Sequence, residues 1–172
     1  RSLQVVLNYE AFKRFDVRLA YKKDQVVSDY NGVSLNKPLV PESRALVNLA
    51  YTSRLDSWRY DLTLQYNGKT PVMDSNNSSH IHSAIDNDQI LSDGLATDFF
   101  IVNCQVTRKF KKTWEAYIGC ENLTGFRQFH PVIGADNPFG TEFDATNVWG
   151  PVMGRKLYAG FRYTLEKPKN KT

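Results

Sequence analysis

Long apolar runs are missing from this sequence. No stretch of its 172 residues approaches the roughly 18 consecutive apolar residues that a membrane-spanning helix needs, so a helical membrane protein is excluded. Blocks of like charge are missing too, and the net charge is only +4. This charge distribution predicts no nucleic-acid partner. A β-barrel membrane protein stays open, because alternating strands dilute their hydrophobicity.

Cysteine is scarce, and the ends of the chain lack targeting signals. Cys104 and Cys120 are too few for a disulfide scaffold and are not spaced like zinc ligands. The chain opens at Arg1 on a strand-like pattern, without an initiator Met, an apolar signal core or a cleavage site. We therefore expect Arg1 to lie inside a longer polypeptide. At the other end we expect residues 166–172 to form a polar periplasmic tail.

Alternation of apolar and polar residues dominates the chain, and helical periodicity is hard to find. The runs are rich in β-branched and aromatic residues, which favour strands. We predict an all-β protein with seven antiparallel strands. They are expected at Leu3 to Tyr9, Phe15 to Lys22, Ala45 to Tyr51, Trp58 to Tyr66, Phe99 to Phe110, Trp114 to Cys120 and Lys156 to Leu165.

The predicted connections alternate strictly between short and long. A transmembrane β-barrel has this rhythm, because its periplasmic turns are short and its extracellular loops are long. We predict an antiparallel up-and-down transmembrane barrel with its C-terminus on the periplasmic side. The short connections lie at Ala11–Arg14, Arg54–Ser57 and Lys111–Thr113, and the long ones lie at residues 30–43, 67–97 and 122–154.

Aromatic residues form two predicted belts, as the two membrane interfaces require. The opposite face is polar and would line a wet lumen. Alternation alone does not exclude a soluble lipocalin-like barrel that binds a small ligand, since its polar face would be its solvated outside. The belts consist of Phe15, Tyr51, Trp58, Phe110, Trp114 and Tyr163 near the short turns, and of Tyr21, Tyr66 and Phe100 near the long loops.

Seven strands are an incomplete wall. Bacterial single-chain barrels have an even number of strands, and lipid does not tolerate unpaired strand edges. Residues 1–165 are therefore expected to be part of a larger barrel embedded in outer-membrane lipid.

Few residues suggest site chemistry. His80 and His82 precede Asp86 and Asp88 in a polar loop, which could bind a ligand or a transition metal or be an exposed loop with incidental histidines. We assign no metal and no resident cofactor. Ordered catalytic spacing is missing, so we predict no enzyme activity.

The two cysteines are predicted to face each other. If the chain reverses over Lys111–Thr113, Phe110 lies opposite Trp114, and Cys104 lies opposite Cys120. This register permits a cross-strand disulfide in an oxidising compartment. The alternative is that both are small lipid-facing hydrophobes.

The loop at residues 122–154 is dense in turn-forming residues and too elaborate for simple chain reversal. Long ordered loops often carry binding functions. Phe143, Asp144 and Trp149 are candidate ligand contacts. The alternative is a loop that folds on itself over the barrel mouth.

The same region resembles the C-terminal end of TonB-dependent outer-membrane receptors, above all those of the Bacteroidetes. The specific similarity lies within about residues 117–165. It rests on Glu121-Asn122-Leu123-Thr124, Asn137-Pro138-Phe139-Gly140, Phe143-Asp144-Ala145-Thr146, Val148-Trp149-Gly150-Pro151 and the run from Gly154 to Tyr163.

The resemblance implies a 22-stranded barrel closed by an N-terminal plug, of which this chain would be the last seven strands. It also implies import of a scarce nutrient (an iron chelate, haem, cobalamin, a glycan or a peptide). The implied partners are the TonB complex, reached through the missing N-terminal part, and a surface lipoprotein. The sequence departs from the family pattern in lacking a plug and a TonB box. It also ends its last strand on Tyr163-Thr164-Leu165 rather than on a terminal aromatic residue.

Overall fold

All regular structure in the described residues is β-strand. The computed structural model describes residues 1–30, 32–72, 89, 95–110, 113–132, 134–141 and 143–165. No helix in that part of the chain has the length and apolarity to cross a membrane. The strands are β1 (Ser2–Phe12), β2 (Phe15–Asp24), β3 (Val27–Tyr30), β4 (Val33–Asn36), β5 (Ser43–Thr52), β6 (Trp58–Asn67), β7 (Thr70–Pro71), β8 (Leu95–Ala96), β9 (Phe99–Phe110), β10 (Trp114–Glu121) and β11 (Lys156–Tyr163).

Seven strands form one antiparallel sheet in the order β1-β2-β5-β6-β9-β10-β11. These are the seven strands predicted from alternation, and each long strand pairs with the next one along the chain. In the described residues the sheet is open, since β1 and β11 each have one strand neighbour. The all-β antiparallel architecture is confirmed, while a closed barrel of 22 strands stays a prediction.

The first short connection is tighter than predicted. β1 continues to Phe12 through a bulge between Glu10 and Phe12, so Phe12 stacks on Phe15 with ring centroids 4.6 Å apart. Between β5 and β6, the Ser53 hydroxyl accepts the N–H of Trp58 at 3.0 Å. A tight turn leaves little freedom in register, so each short turn aligns the two strands that it joins.

The long connections carry structure that alternation did not predict. The first long connection (residues 25–42) contains the β3–β4 hairpin, and the second long connection (residues 68–98) contains the short β7–β8 pair. The N–H of Leu39 donates to the carbonyl oxygen of Pro71 at 2.7 Å, which joins these two connections. All long connections lie at one end of the sheet, because consecutive antiparallel strands turn at alternate ends.

The two faces of the sheet differ in polarity, and the apolar face is exposed. Leu7, Ile118 and Phe161 on that face are 56%, 61% and 72% exposed. Among the described residues, the buried apolar side chains are Ala50, Ala96, Phe99 and Cys120, with Pro41 and Pro71 in the long connections. Soluble monomers rarely expose contiguous apolar patches larger than a few hundred Å². The apolar face of the sheet is therefore expected to be covered by another apolar surface.

Candidate functional site

The polar face of the sheet borders a concavity of about 740 Å³. A carrier of small ligands lines its cavity mainly with apolar side chains, whereas charged and amide groups line this one. The lining of the concavity therefore suits contact with water better than it suits an apolar ligand pocket. The lining residues include Asn48, Arg59, Asp61, Thr63, Asn103, Gln105, Thr107, Lys109, Glu115, Tyr117, Tyr158 and Arg162.

Ion pairs neutralise much of the charge on this polar face. Arg59 and Asp61 pair at 3.0 Å. Near the short-turn end, Glu115 lies between Lys109 at 3.6 Å and Arg162 at 3.4 Å. Exposed pairs of this kind add little stability. They do give the polar face both signs of charge, so it presents hydrogen-bonding groups to water or to a polar solute.

Two tyrosines lie over two glycines on the polar face. Tyr117 is the cross-strand partner of Gly160, and Gly119 is the partner of Tyr158. A methyl group added to Gly119 would overlap the ring of Tyr158 and come within 2.8 Å of the carbonyl oxygen of Cys104. The Tyr158 hydroxyl donates to Oε1 of Gln105 at 2.9 Å. The absent glycine side chains therefore let both rings lie flat on the wall.

The third long connection (residues 122–155) is closed at its base by Asn122. This residue is 6% exposed and adopts a positive φ of 52°, which asparagine tolerates better than most residues. Its side-chain amide donates to the carbonyl oxygens of Phe126 at 2.7 Å and Met153 at 3.1 Å. The Asn-Leu-Thr sequence after β10 therefore holds the two arms of the connection together.

Gln128 joins the same two arms farther from the sheet. Its Nε2 donates to the carbonyl oxygen of Asn147 at 2.8 Å. Its Oε1 accepts the N–H groups of Trp149 at 2.9 Å and Gly150 at 3.1 Å. Sequence reasoning did not single out Gln128, since a glutamine among turn residues carries no pattern of its own.

Asp144 organises a local turn. Its Oδ1 accepts the N–H and the hydroxyl of Thr146 at 2.7 and 2.6 Å, and its Oδ2 accepts from Nδ2 of Asn147 at 3.1 Å. The Thr146 hydroxyl is the main cause that lowers the pKa of the Asp144 carboxyl below its ordinary value. Both carboxylate oxygens therefore already have partners within the loop.

Trp149 and Phe143 have different surroundings. Trp149 is half-buried and lies against Phe99 and Phe126, with ring centroids 5.9 and 6.1 Å away. Phe143 is 40% exposed. Of the three ligand contacts predicted in this loop, Phe143 has the side chain most accessible to a ligand. Trp149 instead packs on Phe99 and anchors the loop on β9.

Gln89 connects the second and third long connections. Its Nε2 donates to the carbonyl oxygen of Arg127 at 3.0 Å, and its Oε1 accepts the N–H of Phe129 at 2.9 Å. His80 and His82, also predicted as ligand contacts in the second connection, lie outside the described residues. In the part of the chain that is described, His, Cys, Asp and Glu side chains form no cluster suited to a metal ion.

The predicted register of the cysteine hairpin is confirmed. Phe110 pairs with Trp114, Val106 with Ile118, and Cys104 with Cys120. Both cysteines are free thiols in this structure, and Cys120 is buried. The disulfide between them stays a prediction.

Solved structures of outer-membrane receptors have a similar fold. The ferric enterobactin receptor of Pseudomonas aeruginosa is 15% identical and matches over 94% of this chain and 22% of its own, with a TM-score of 0.61. The ferripyoverdine receptor of the outer membrane of the same species is 12% identical, with 93% and 19% coverage and a TM-score of 0.60. The ferric-catecholate import receptor Fiu of Escherichia coli K12 is 11% identical, with 94% and 20% coverage and a TM-score of 0.58.

The similarity extends over nearly this whole chain but over only 22% or less of these receptors. No protein-family model matches the sequence, and no curated protein matches it either. At 11–15% identity the structural comparison establishes the fold. The chain has the antiparallel β-sheet fold of a part of these receptors.

Proposed function

We propose that this chain is the wall and part of the extracellular surface of an outer-membrane receptor that imports a scarce nutrient. The observation that carries the proposal is the combination of an exposed apolar face with a polar concave face on one up-and-down sheet. Lipid would cover the first face and water would fill the second. In this arrangement the protein is embedded in the outer membrane of a Gram-negative bacterium.

Several finer features belong to the same proposal. The chain would be the C-terminal part of a 22-stranded barrel of the Bacteroidetes type, with residues 166–172 as a periplasmic tail. A plug elsewhere in the polypeptide would occupy the lumen and contact the TonB complex, which supplies energy. A surface lipoprotein would cap the extracellular side. The motif resemblance in residues 117–165 supports these features.

The third long connection would take part in ligand capture. Its arms are held together by Asn122 and Gln128, so its exposed residues have defined positions before a ligand arrives. Preorganisation of this kind lowers the ordering cost of binding. Phe143 would contact the ligand directly, Asp144 and Trp149 would hold the loop in shape, and His80 and His82 would contribute from the second connection.

Among the nutrient classes, an iron chelate is the first to test. The structural neighbours include receptors for ferric enterobactin and ferripyoverdine. Haem, cobalamin, glycans and peptides are the nutrient classes to test next. The protein would make and break no bond. It would bind the ligand outside and pass it through the lumen, where charged pairs such as Arg59–Asp61 line the path.

The proposal is tested by locating the native polypeptide in fractionated cells. We expect it in the outer-membrane fraction, extractable only with detergent, and with an electrophoretic mobility that changes on boiling. A protein of about 19.7 kDa that is soluble without detergent would contradict the proposal. It would favour the alternative, a lipocalin-like barrel that binds a small ligand.

Uptake measurements then test the loop. Cells carrying Phe143→Ala are expected to take up the nutrient less well while keeping the wild-type amount of receptor in the membrane. Asp144→Ala and Trp149→Ala should also reduce uptake, with greater protease sensitivity of the loop, because these residues hold its shape. Normal uptake by all three variants would contradict a role of the third connection in ligand capture.

A further inference from the structure

The outer, apolar face of the sheet carries an arginine. In the register of the described strands, positions that alternate with the lumen residues are apolar or uncharged, except for Lys23 and Arg108. Arg108 lies in β9, two residues before Phe110 at the strand end, or about 7 Å along the strand. It is thus close to the short-turn rim of the wall, inside the aromatic belt.

Two aromatic rings flank the guanidinium of Arg108. Its central carbon lies 4.9 Å from the ring centroid of Trp58, its cross-strand partner, and 4.8 Å from that of Phe110. Cation–π contacts of this kind attract the guanidinium to the two rings and hold it in place. On the other side, Arg108 pairs with Ala116 of β10, whose small side chain leaves space beside the guanidinium.

No acidic side chain of the described residues neutralises Arg108. Glu115 of β10 and Asp61 of β6 lie on the opposite face and pair with Lys109, Arg162 and Arg59. No described group accepts a hydrogen bond from the Arg108 guanidinium, which has five N–H donors. An exposed guanidinium held against aromatic rings, with its donors unused, is suited to bind an anion from outside the protein.

We propose that Arg108 binds the phosphate of a membrane phospholipid in the leaflet at the short-turn side. This inference rests on the proposed function, because it needs the apolar face to contact lipid. An aromatic belt lies at the level of lipid headgroups, and a planar guanidinium matches two phosphate oxygens. Val106, Tyr60 and Leu62, farther from the rim on the same face, offer an apolar surface to the acyl chains of that lipid.

Depth within the bilayer supports the same assignment. An arginine on the lipid face of a barrel is costly at the bilayer midplane and nearly free at the interface. Arg108 lies at the interface end of its strand, whereas Cys104 and Val102 occupy outward positions nearer the middle. The position is therefore one where a charge is tolerated and where phosphate groups are present.

The test measures lipid binding to the full native polypeptide, purified in dodecyl maltoside, which carries no phosphate. Dioleoyl phosphatidylglycerol is titrated into the protein, and bound lipid is counted by native mass spectrometry. Arg108→Gln is expected to bind the lipid about fivefold more weakly than wild type. Arg108→Lys keeps the charge but loses the two-oxygen match of the guanidinium, so its affinity is expected to lie between those of wild type and Arg108→Gln.

Lys23→Gln is the matched control, since Lys23 is the charged outward residue at the opposite rim, and it should leave binding at the Arg108 site unchanged. Two further ligands separate the sources of affinity. Dioleoylglycerol has the same acyl chains without phosphate and should bind weakly to all variants. Inorganic phosphate should not bind at millimolar concentration.

Three results would overturn the inference: equal lipid binding by wild type and Arg108→Gln, equal binding of dioleoylglycerol and phosphatidylglycerol, or Arg108-dependent binding of inorganic phosphate as tight as that of the lipid. If the protein fractionates with the outer membrane and folds but shows one of these results, the lipid site fails and the proposed function stands. A protein that is soluble without detergent would contradict both the lipid site and the proposed function.

Discussion

The sheet and the third long connection are stabilised in different ways. In the sheet, backbone hydrogen bonds repeat along seven paired strands, and the side chains alternate between an apolar and a polar environment. In the third connection, single side chains make the decisive bonds. Gln128 alone accepts two backbone N–H groups and donates to one backbone carbonyl.

This difference determines how each region responds to substitution. A wall position is specified mainly by its face, so a residue of similar polarity should be accepted there. A loop position such as Gln128 or Asn122 is specified by its donors and acceptors, so its nearest chemical relatives should fail. In the wall, the effect of a substitution on stability depends on the polarity of the face. In the loop, it depends on hydrogen-bond geometry.

The largest expected effect comes from a charge placed on the apolar face of the sheet. Ile118→Arg places a charge in the middle of the apolar face and should destabilise the folded wall by about 3 kcal/mol. Gln65→Arg, on the polar face beside Ile101, is the matched control and should be nearly neutral. The measurement is unfolding of the native polypeptide in lipid vesicles by urea. Equal, small effects of the two substitutions would mean that water, not lipid, covers both faces.

The next effect concerns the loop. Gln128→Ala removes three hydrogen bonds of a buried side chain and should reduce the local stability of the third connection by about 2 kcal/mol. Amide hydrogen exchange should become faster at residues 147–151 and stay unchanged in β5 and β6. Gln105→Ala removes the bonds of a wall glutamine to Tyr158 and Thr107 and serves as control. If it accelerated exchange as much as Gln128→Ala, the two regions would not differ as described.

A smaller effect sharpens the comparison within the wall. Gly119→Ala places a methyl group against the carbonyl oxygen of Cys104, which belongs to the backbone and has little freedom to move. A destabilisation of about 1 kcal/mol is expected. At Gly160 the nearest atoms all belong to the Tyr117 side chain, the closest at 2.5 Å, and that ring can swing away from the sheet. Gly160→Ala should thus cost less than Gly119→Ala in the same unfolding experiment, and the reverse order would contradict this account.

The smallest effect is a pH dependence of the loop. The pKa of Asp144 is lowered from its ordinary value of 3.8, mainly by the Thr146 hydroxyl, so the folded loop favours the ionised carboxylate. Its contribution is present above pH 3.8 and is lost as the pH falls through the lowered pKa of the folded state. Protease resistance of the loop should stay constant from neutral pH to about pH 5 and decline in stronger acid. Asp144→Asn should remove this decline, and a decline that persists in the variant would assign it to another group.

Much of the wall could be predicted from the sequence. The alternation in Trp58 to Tyr66 and in Phe99 to Phe110 located β6 and β9, because strand side chains change face at every residue. The β9–β10 register, with Cys104 opposite Cys120, followed from assuming a tight turn. Only the ends of strands were misplaced, as at Phe12, where a bulge extends β1.

The candidate site was less predictable. Phe143, Asp144 and Trp149 were selected by residue type and by resemblance, and the structure shows that Asp144 and Trp149 already have partners within the protein. The roles of Asn122 and Gln128 depend on which backbone groups the returning arm brings close. No local pattern encodes that approach, since the bonded residues lie 19 to 31 positions apart.

The sequence by itself determined the strand periods, the separation of apolar and polar faces and the alternation of short and long connections, because each depends on neighbouring residues and on the two-residue repeat of a strand. Only the tertiary structure decided that Gln128 bridges two loop arms, that tyrosines cover Gly119 and Gly160, and that Arg108 lies between Trp58 and Phe110. Except for the contact of Arg108 with Phe110, two residues farther along β9, these contacts join residues that are distant in the chain or that lie on separate strands. Their geometry depends on how the strands stack side by side, which alternation leaves open.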